Sequence, residues 1–334
     1  MITQHSKEST INMNIPIFLA TDNNFTVPTY VTLYSLISNY NGTNNVDVYV
    51  LTDNNFSTDN EDFLMKLSSN YFKINIIRIE NEYDIVTPNL SFITRTTMYR
   101  LLIPRIVNQF NNPNLNKCIY LDSDIIVEGD ITELYNIDVN GFYVAGVKDR
   151  AISNNRNDEL RNILNVPSLA NYVNAGVLLF NISEINKQGV VEKLELAGYR
   201  NDYPYNDQDA INAEFYGKIK NIPLRYNAIN IYLYDNKSDT YEQYGMDNLV
   251  EARKSPLIIH YISDKKPWIY KNTPLAEAWW KYVYMQDKKE KQIIFQFVKA
   301  RKIPFKSIMK TKGLKLMRFL HILQLALRIK HCFR

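Results

Sequence analysis

Two cysteines, ten glycines and four histidines are all that this chain carries among 334 residues, and each scarcity removes a class of protein. Cys118 lies in an apolar run and Cys332 beside the C-terminus, so a disulfide framework is not expected and a reducing compartment is. Glycine is sparse, and no Gly-x-Gly-x-x-Gly follows the first apolar run. That argues against a dinucleotide-binding Rossmann enzyme and against a P-loop NTPase. No uninterrupted apolar stretch reaches about 18 residues, so no membrane span is expected. The first fourteen residues are polar, without the apolar segment of a secretory signal, and the expectation is a cytoplasmic protein.

What is present is ample for a large core: 46% of the residues are hydrophobic and 13% aromatic, enough for one large α/β domain or two small ones. Charge is divided unevenly. The chain has 39 Lys and Arg and 35 Asp and Glu; residues 287–334 hold fourteen of the basic ones and two of the acidic, leaving 25 against 33 in the body. The body is acidic and the tail strongly basic.

Apolar runs at 15–20, 46–51 and 73–79 read as strands, each followed or preceded by stretches with helical spacing at 27–39 and 59–69. Repeated strand, loop and helix units predict a parallel, doubly wound sheet, with ligands beyond the carboxyl ends of its strands. Residues 94–106 read as a helix in which Arg95, Arg100 and Arg105 are candidate phosphate partners, a solvated face being the plainer account of Arg95 and Arg105. Further strands are expected at 144–149, 174–180 and 257–260, and a helix starting at Asp207, whose carboxylates suit a helix N-terminus. Residues 150–165 read as a loop or loose helix. Residues 227–244, rich in Tyr, Asn and Asp, read as a surface loop suited to stacking and hydrogen bonding with sugars.

The most informative stretch is Tyr120-Leu121-Asp122-Ser123-Asp124. Residues 118–121 form a β-prone apolar run that ends on two carboxylates one residue apart. In a low-dielectric pocket both ionise cheaply only with a cation between them, and oxygen ligands suit Mg2+ or Mn2+. The bland alternative is a strand-terminal turn whose carboxylates cap backbone N–H groups. Asp-x-Asp alone does not decide between them.

Several short motifs decide it together: Phe18-Leu19-Ala20-Thr21-Asp22-Asn23-Asn24, Tyr99-Arg100-Leu101, the Asp122-Ser123-Asp124 stretch, Asn174-Ala175-Gly176-Val177, Asp207-Gln208-Asp209, and His260 with Lys266-Pro267-Trp268. In this order, over about residues 15–280, the chain resembles the retaining glycosyltransferases of family 8, which include bacterial lipopolysaccharide galactosyl- and glucosyltransferases and, more distantly, glycogenin. The resemblance implies a GT-A type α/β fold, with a Rossmann-like, mostly parallel central sheet flanked by helices. It implies that Asp122, Asp124 and His260 ligate Mn2+, with Mg2+ as the alternative, holding the diphosphate of a UDP-hexose. Ala20, Asp22 and Asn24 match positions that hold uracil and ribose. Arg100, Asp149, Asn174, Ala175 and Asp207 match positions lining the donor sugar, with Ser123 beside them. Lys266 would add positive charge at the leaving phosphate. Gln208 and Asp209 match positions beside the anomeric carbon. Retention then proceeds through a carboxylate nucleophile such as Asp209, or through same-face attack with Gln208 stabilising positive charge; the resemblance favours the second. One departure is Ser263, where the family commonly has Gly.

The expected organisation is a polar extension at 1–14, a catalytic domain at 15–284 and a basic tail at 285–334. Within the tail, Lys315, Arg318, His321, Gln324, Arg328 and His331 recur every three or four residues among large aliphatics, a basic amphipathic helix suited to an anionic membrane surface, packing against the acidic body or a partner helix being the plainer account. The expectation is a peripheral enzyme on the inner face of the cell membrane, moving galactose or glucose to a glycan or lipid-linked acceptor, with no nucleic-acid partner. The rival readings are a non-catalytic metal- or nucleotide-dependent glycan-binding module on the same fold, and a nucleotidyltransferase, which leaves His260 and Lys266-Pro267-Trp268 unexplained.

Overall fold

The computed structural model describes residues 14–80, 82–83, 95–154, 157–234 and 238–301. The amphipathic pattern expected at 313–331 and the polar extension at 1–13 lie outside them.

Strands β1 (Ile15–Ala20), β2 (Val46–Asp53), β3 (Phe72–Ile79), β4 (Lys117–Leu121), β6 (Val144–Lys148), β7 (Val173–Asn181) and β8 (Ile219–Asn221) build one seven-stranded sheet in the order β3-β2-β1-β4-β7-β6-β8. A second sheet joins β5 (Ile125–Val127), β10 (Ile258–His260) and β9 (Ala228–Ile229) in the order β5-β10-β9. The main sheet is mostly parallel, as the alternation of strands and helices requires, but β7 runs antiparallel to both β4 and β6.

Side chains alternate between two apolar layers, which is why the central strands read as unbroken hydrophobic runs. Ile15, Ile17 and Leu19 of β1 and Ile119 and Leu121 of β4 enter one core; Phe18, Cys118 and Tyr120 enter the other. Cys118 is a buried free thiol in that second core. Helix Thr26–Asn39 covers the first core, and fully burying each of its large aliphatics contributes about 1.5–3 kcal/mol.

The helix expected at 94–106 is a 3-10 helix, Arg95–Leu102, running into an α-helix, Ile103–Gln109, with Pro104 in its first turn. The described residues of the stretch at 227–244 hold more regular structure and more buried side chains than a surface loop. They include β9 and helices Asn230–Leu233 and Ser238–Tyr244, and Asn227 and Asn230 are fully buried. Asn227 and Asn230 serve internal hydrogen bonding, a use that composition does not separate from sugar binding. Helix Asp158–Leu164 lies within the segment read as a loop or loose helix. Helix Lys288–Arg301, at the start of the expected tail, packs Ile294 and Val298 into the first core and pairs Glu290 with Lys66.

Candidate active site

The site lies where the sheet changes direction. β2 and β3 extend from one side of β1 and β4 lies on the other, so the chain leaves the carboxyl ends of β1 and β4 along diverging paths and opens a crevice. Leu19 pairs with Leu121, which sets Ala20 and Asp122 side by side just beyond the strands. Ser123 Oγ donates to the Ala20 carbonyl at 2.7 Å, and Asp122 N–H to the Gly176 carbonyl at 2.8 Å. These two bonds fix the turn that carries both carboxylates.

Because β7 is antiparallel to β4, its first residues, and not its last, arrive at this end. The small residues Asn174, Ala175 and Gly176 therefore line the crevice. β10 is likewise antiparallel to β5, pairing His260 with Ile125, so the imidazole arrives beside Asp124. A cavity of about 300 Å³ results.

The described cavity wall includes Ala20, Arg100, Asp122, Ser123 and Asp124 from the first half of the chain. It also includes Asp149, Asn174, Ala175, Asp207 and Gln208, and, from the last motif, His260, Ser263 and Lys266. Asp22, Asn24 and Asp209 are not among its lining residues. Asp22 Oδ1 accepts from the N–H groups of Asn24 and Phe25 at 2.8 and 3.0 Å, shaping the loop before helix Thr26–Asn39. Asp209 is fully buried behind the wall, accepting from Tyr172 Oη at 2.5 Å and Tyr205 N–H at 2.7 Å. Arg105, offered with Arg100 as a phosphate partner, pairs instead with Glu82 and Glu195.

Arg100 organises the charges. Its guanidinium meets Asp122 and Asp207, each at 2.9 Å, and lies 4.5 Å from the centre of the Tyr120 ring. Burial works against its charge, but Asp122 and Asp207 raise its pKa above the ordinary arginine value. Asp207 is pushed up to about 6, chiefly by burial, with Arg100 pulling the other way. Burial also raises Asp124, yet Lys266 and His260 outweigh it and hold that carboxyl well below the usual range. Lys266 Nζ pairs with Asp124 and donates to the Tyr261 carbonyl at 2.6 Å.

Asp122, Asp124 and His260 offer three ligand atoms within 4.8 Å of one another. Three observations fit a divalent cation there. Asp124 Oδ1 is buried without a hydrogen-bond partner. His260 Nε2 stands 3.6 Å from Asp122 Oδ2 and 3.3 Å from Asp124 Oδ1. A Cβ on Gly176 would meet the His260 ring and approach Asp122 Oδ2 to 2.7 Å, so only glycine leaves the space open. Two carboxylates and an imidazole suit Mn2+ well and Mg2+ less well, since nitrogen favours the softer ion.

The model of the family described as "Glycosyl transferase family 8" matches residues 16–272. The chain belongs to that family. Among its relatives, General stress protein A of Bacillus subtilis (strain 168) is 28% identical over 184 residues, 53% of this chain and 60% of that protein. The lipopolysaccharide 1,2-glucosyltransferase of Escherichia coli (strain K12) is 28% identical over 204 residues, 59% of this chain and 56% of that protein. This family 8 chain thus matches little more than half the length of these relatives. Among solved structures, galactosyltransferase LgtC in complex with donor and acceptor sugar analogs has a TM-score of 0.67 at 20% identity, covering 84% of this chain and 100% of that one. Glycosyltransferase GlyE of Streptococcus pneumoniae TIGR4 has a TM-score of 0.59 at 24% identity, covering 88% and 65%. The fold of this family 8 member is accordingly GT-A.

Two contributors escaped the sequence reading of this family 8 site. Tyr120 Oη donates to Asp122 Oδ1 at 2.9 Å, and the two-residue period of β4 was a usable signal, since residues 120 and 122 share a face. Asn227 touches His260 from a distant segment with no local signal at all.

Ser263 lines the cavity with φ of +68°, a left-handed conformation that explains why glycine suits this position. Ser263→Gly should therefore raise folding stability by about 1 kcal/mol, read as a higher urea midpoint at unchanged slope. A lower midpoint would show that the Ser263 side chain contributes more than its backbone strain costs.

Proposed function

We propose that this protein is a retaining hexosyltransferase that moves galactose or glucose from a UDP-sugar to a glycan or lipid-linked acceptor with the help of Mn2+. The observation that carries this reading is the convergence of Asp122, Asp124 and His260 on the same cavity that Arg100, Gln208 and Lys266 line. The relatives' printed activities, lipopolysaccharide 1,2-glucosyltransferase and galactosyltransferase, support hexose transfer.

In this reading Asp122, Asp124 and His260 hold the ion. Bound there, it supplies Lewis-acid neutralisation of the diphosphate. Lys266 swings from Asp124 to the β-phosphate, adding a positive charge where negative charge grows as the glycosidic bond breaks. Ala20, Asp22 and Asn24 receive uracil and ribose. Ser263 and Ser123 present main-chain groups to the phosphates and turn. Arg100, Asp149, Asn174, Ala175 and Asp207 orient the hexose.

Gln208 Oε1 accepts from Ala175 N–H at 3.1 Å and Asn174 Nδ2 at 3.2 Å, while its Nε2 donates to Asp149 at 3.3 Å. The amide is thus held in a fixed orientation at the edge of the cavity, and in this reading its dipole stabilises a developing cation. Asp209 serves in this reading by positioning the preceding loop through Tyr205. Same-face attack therefore remains the preferred route, with the leaving phosphate as base.

Asp209→Asn tests that choice. Its amide oxygen can accept from Tyr205 N–H and its nitrogen can donate to Tyr172 Oη, so the fold survives. Turnover within about tenfold of wild type is expected, whereas a nucleophile's loss costs several orders of magnitude. Stability gives a second readout. Burial pushes Asp209 up to about 6, so the folded state holds its proton more tightly than the unfolded chain. That contribution is complete below the ordinary carboxyl pKa and is lost as pH rises through about 6. The variant should gain on wild type between pH 4 and 7 in thermal melts.

The class is tested by UDP release from a panel of UDP-sugars with and without Mn2+, water serving as acceptor, followed by transfer to glycan acceptors. Chelator-sensitive hydrolysis of one UDP-hexose is expected. UDP and Mn2+ binding without release or transfer would favour a binding module. Among the described residues no helix is long and apolar enough to cross a membrane. Peripheral attachment to the inner face of the cell membrane through the basic tail is supported by the sequence pattern of residues 313–331, and loss of vesicle binding on its removal tests it.

A further inference from the structure

One backbone N–H sets the chemical state of the His260 ring. Gly176 N–H donates to Asn174 Oδ1 at 3.0 Å, so that arm of the Asn174 amide is an acceptor. The same oxygen faces Asn227 at 2.9 Å, and only the Asn227 NH2 group can donate to it. Asn227 Oδ1 is therefore turned the other way, onto His260 Nδ1 at 2.9 Å. An amide oxygen only accepts, so Nδ1 carries a proton, and whenever the ring is neutral the lone pair is on Nε2. That lone pair faces Asp122 Oδ2 and Asp124 Oδ1, where a cation would accept it.

We propose that Asn227 is a positioning residue that locks His260 in the metal-binding tautomer and orientation through its paired bonds to Asn174 and His260. The proposal rests on reading Asp122, Asp124 and His260 as a metal site. Asn227 is fully buried and sits at the end of the 3-10 helix Leu224–Asn227, directly before β9. β9 pairs in parallel with β10, matching Ile229 to His260, so the small sheet delivers the ligand and its support together. Without the Asn227 acceptor the ring is free to turn or to protonate Nε2, and either removes a ligand. The same amide chain reaches the reaction centre, since Asn174 Nδ2 donates to Gln208 Oε1. Metal ligand and Gln208 are thereby aligned by one hydrogen-bonded series.

The test uses the full chain labelled with 15N-histidine and titrated with Mn2+. In metal-free wild type, at a pH where the ring is neutral, His260 should carry its proton on Nδ1 and leave Nε2 bare. Asn227→Leu should weaken Mn2+ binding about 10- to 100-fold, by calorimetry or by the electron-spin signal of free Mn2+, with mixed tautomers. Asn227→Asp keeps an acceptor for Nδ1–H and should bind Mn2+ within about threefold of wild type, while lowering turnover because it repels Asn174 Oδ1. Wild-type Mn2+ affinity in Asn227→Leu, or a neutral wild-type ring with its proton on Nε2, overturns the positioning role. If Asn227→Leu does not fold, the wild-type tautomer alone upholds or refutes it. Wild type that binds no divalent cation overturns the metal reading itself.

Discussion

Asp124→Ala should lower Mn2+-dependent turnover by about 10³-fold or more and abolish measurable Mn2+ binding, with the circular-dichroism spectrum unchanged. Asp124 is the residue on which the charges of the site converge. Its Oδ2 side pairs with Lys266, while Oδ1 is buried without a hydrogen-bond partner and faces His260. Removing the carboxylate takes away one ligand and also leaves Lys266 with the Tyr261 carbonyl as its remaining partner at 2.6 Å. Asp124→Asn serves as the isosteric companion: it can still accept from Lys266, so it preserves the local hydrogen bonding while losing the negative charge. Both variants should lose metal binding, and the asparagine variant should be the more stable. Full activity in either would sink the assignment of Asp124 as a ligand.

Gly176→Ala is the second large effect, and it reaches the site without removing any functional group. The added Cβ would meet the His260 ring and lie 2.7 Å from Asp122 Oδ2 and 2.9 Å from His260 Nδ1. Strand β7 cannot retreat, because it is hydrogen-bonded to β4 on one edge and β6 on the other. The imidazole must move, and with it the ligand set. A displacement of about 1 Å at such a site costs about 10²-fold in kcat/KM, and overpacking costs about 1–3 kcal/mol of stability. Mn2+ titration and urea unfolding on one preparation separate the two effects. Wild-type Mn2+ affinity would mean that the ring is not where the ion binds.

Much of the site was legible because its signals are local. The Asp122-Ser123-Asp124 turn follows directly from an apolar strand that stops on charge, and Gln208 stands at a helix start that the carboxylates of Asp207 and Asp209 favour. The stretch at 227–244 was misjudged for the same reason in reverse. Its Tyr and Asn side chains have the composition of an exposed sugar-binding surface, but Asn227 and Asn230 are buried and Tyr232 faces the cavity from a short helix. Polar residues look alike in sequence whether their partner is water, sugar or another amide.

Residue order fixed the alternation of strands and helices, the burial of β4, and the chemistry at the carboxyl ends of β1 and β4, because these depend on hydrophobic periodicity and on which groups interrupt it. The directions of β7 and β10 were decided by tertiary pairing. An apolar run has the same pattern whether its strand runs parallel or antiparallel to its neighbours; direction comes from how the connections cross the sheet. Only the antiparallel arrangement brings the beginning of β7 to Asp122 and the end of β10 to Asp124. Asn174, Gly176, Asn227 and His260 consequently become one hydrogen-bonded unit around two carboxylates, an association between distant segments that no short stretch of chain encodes.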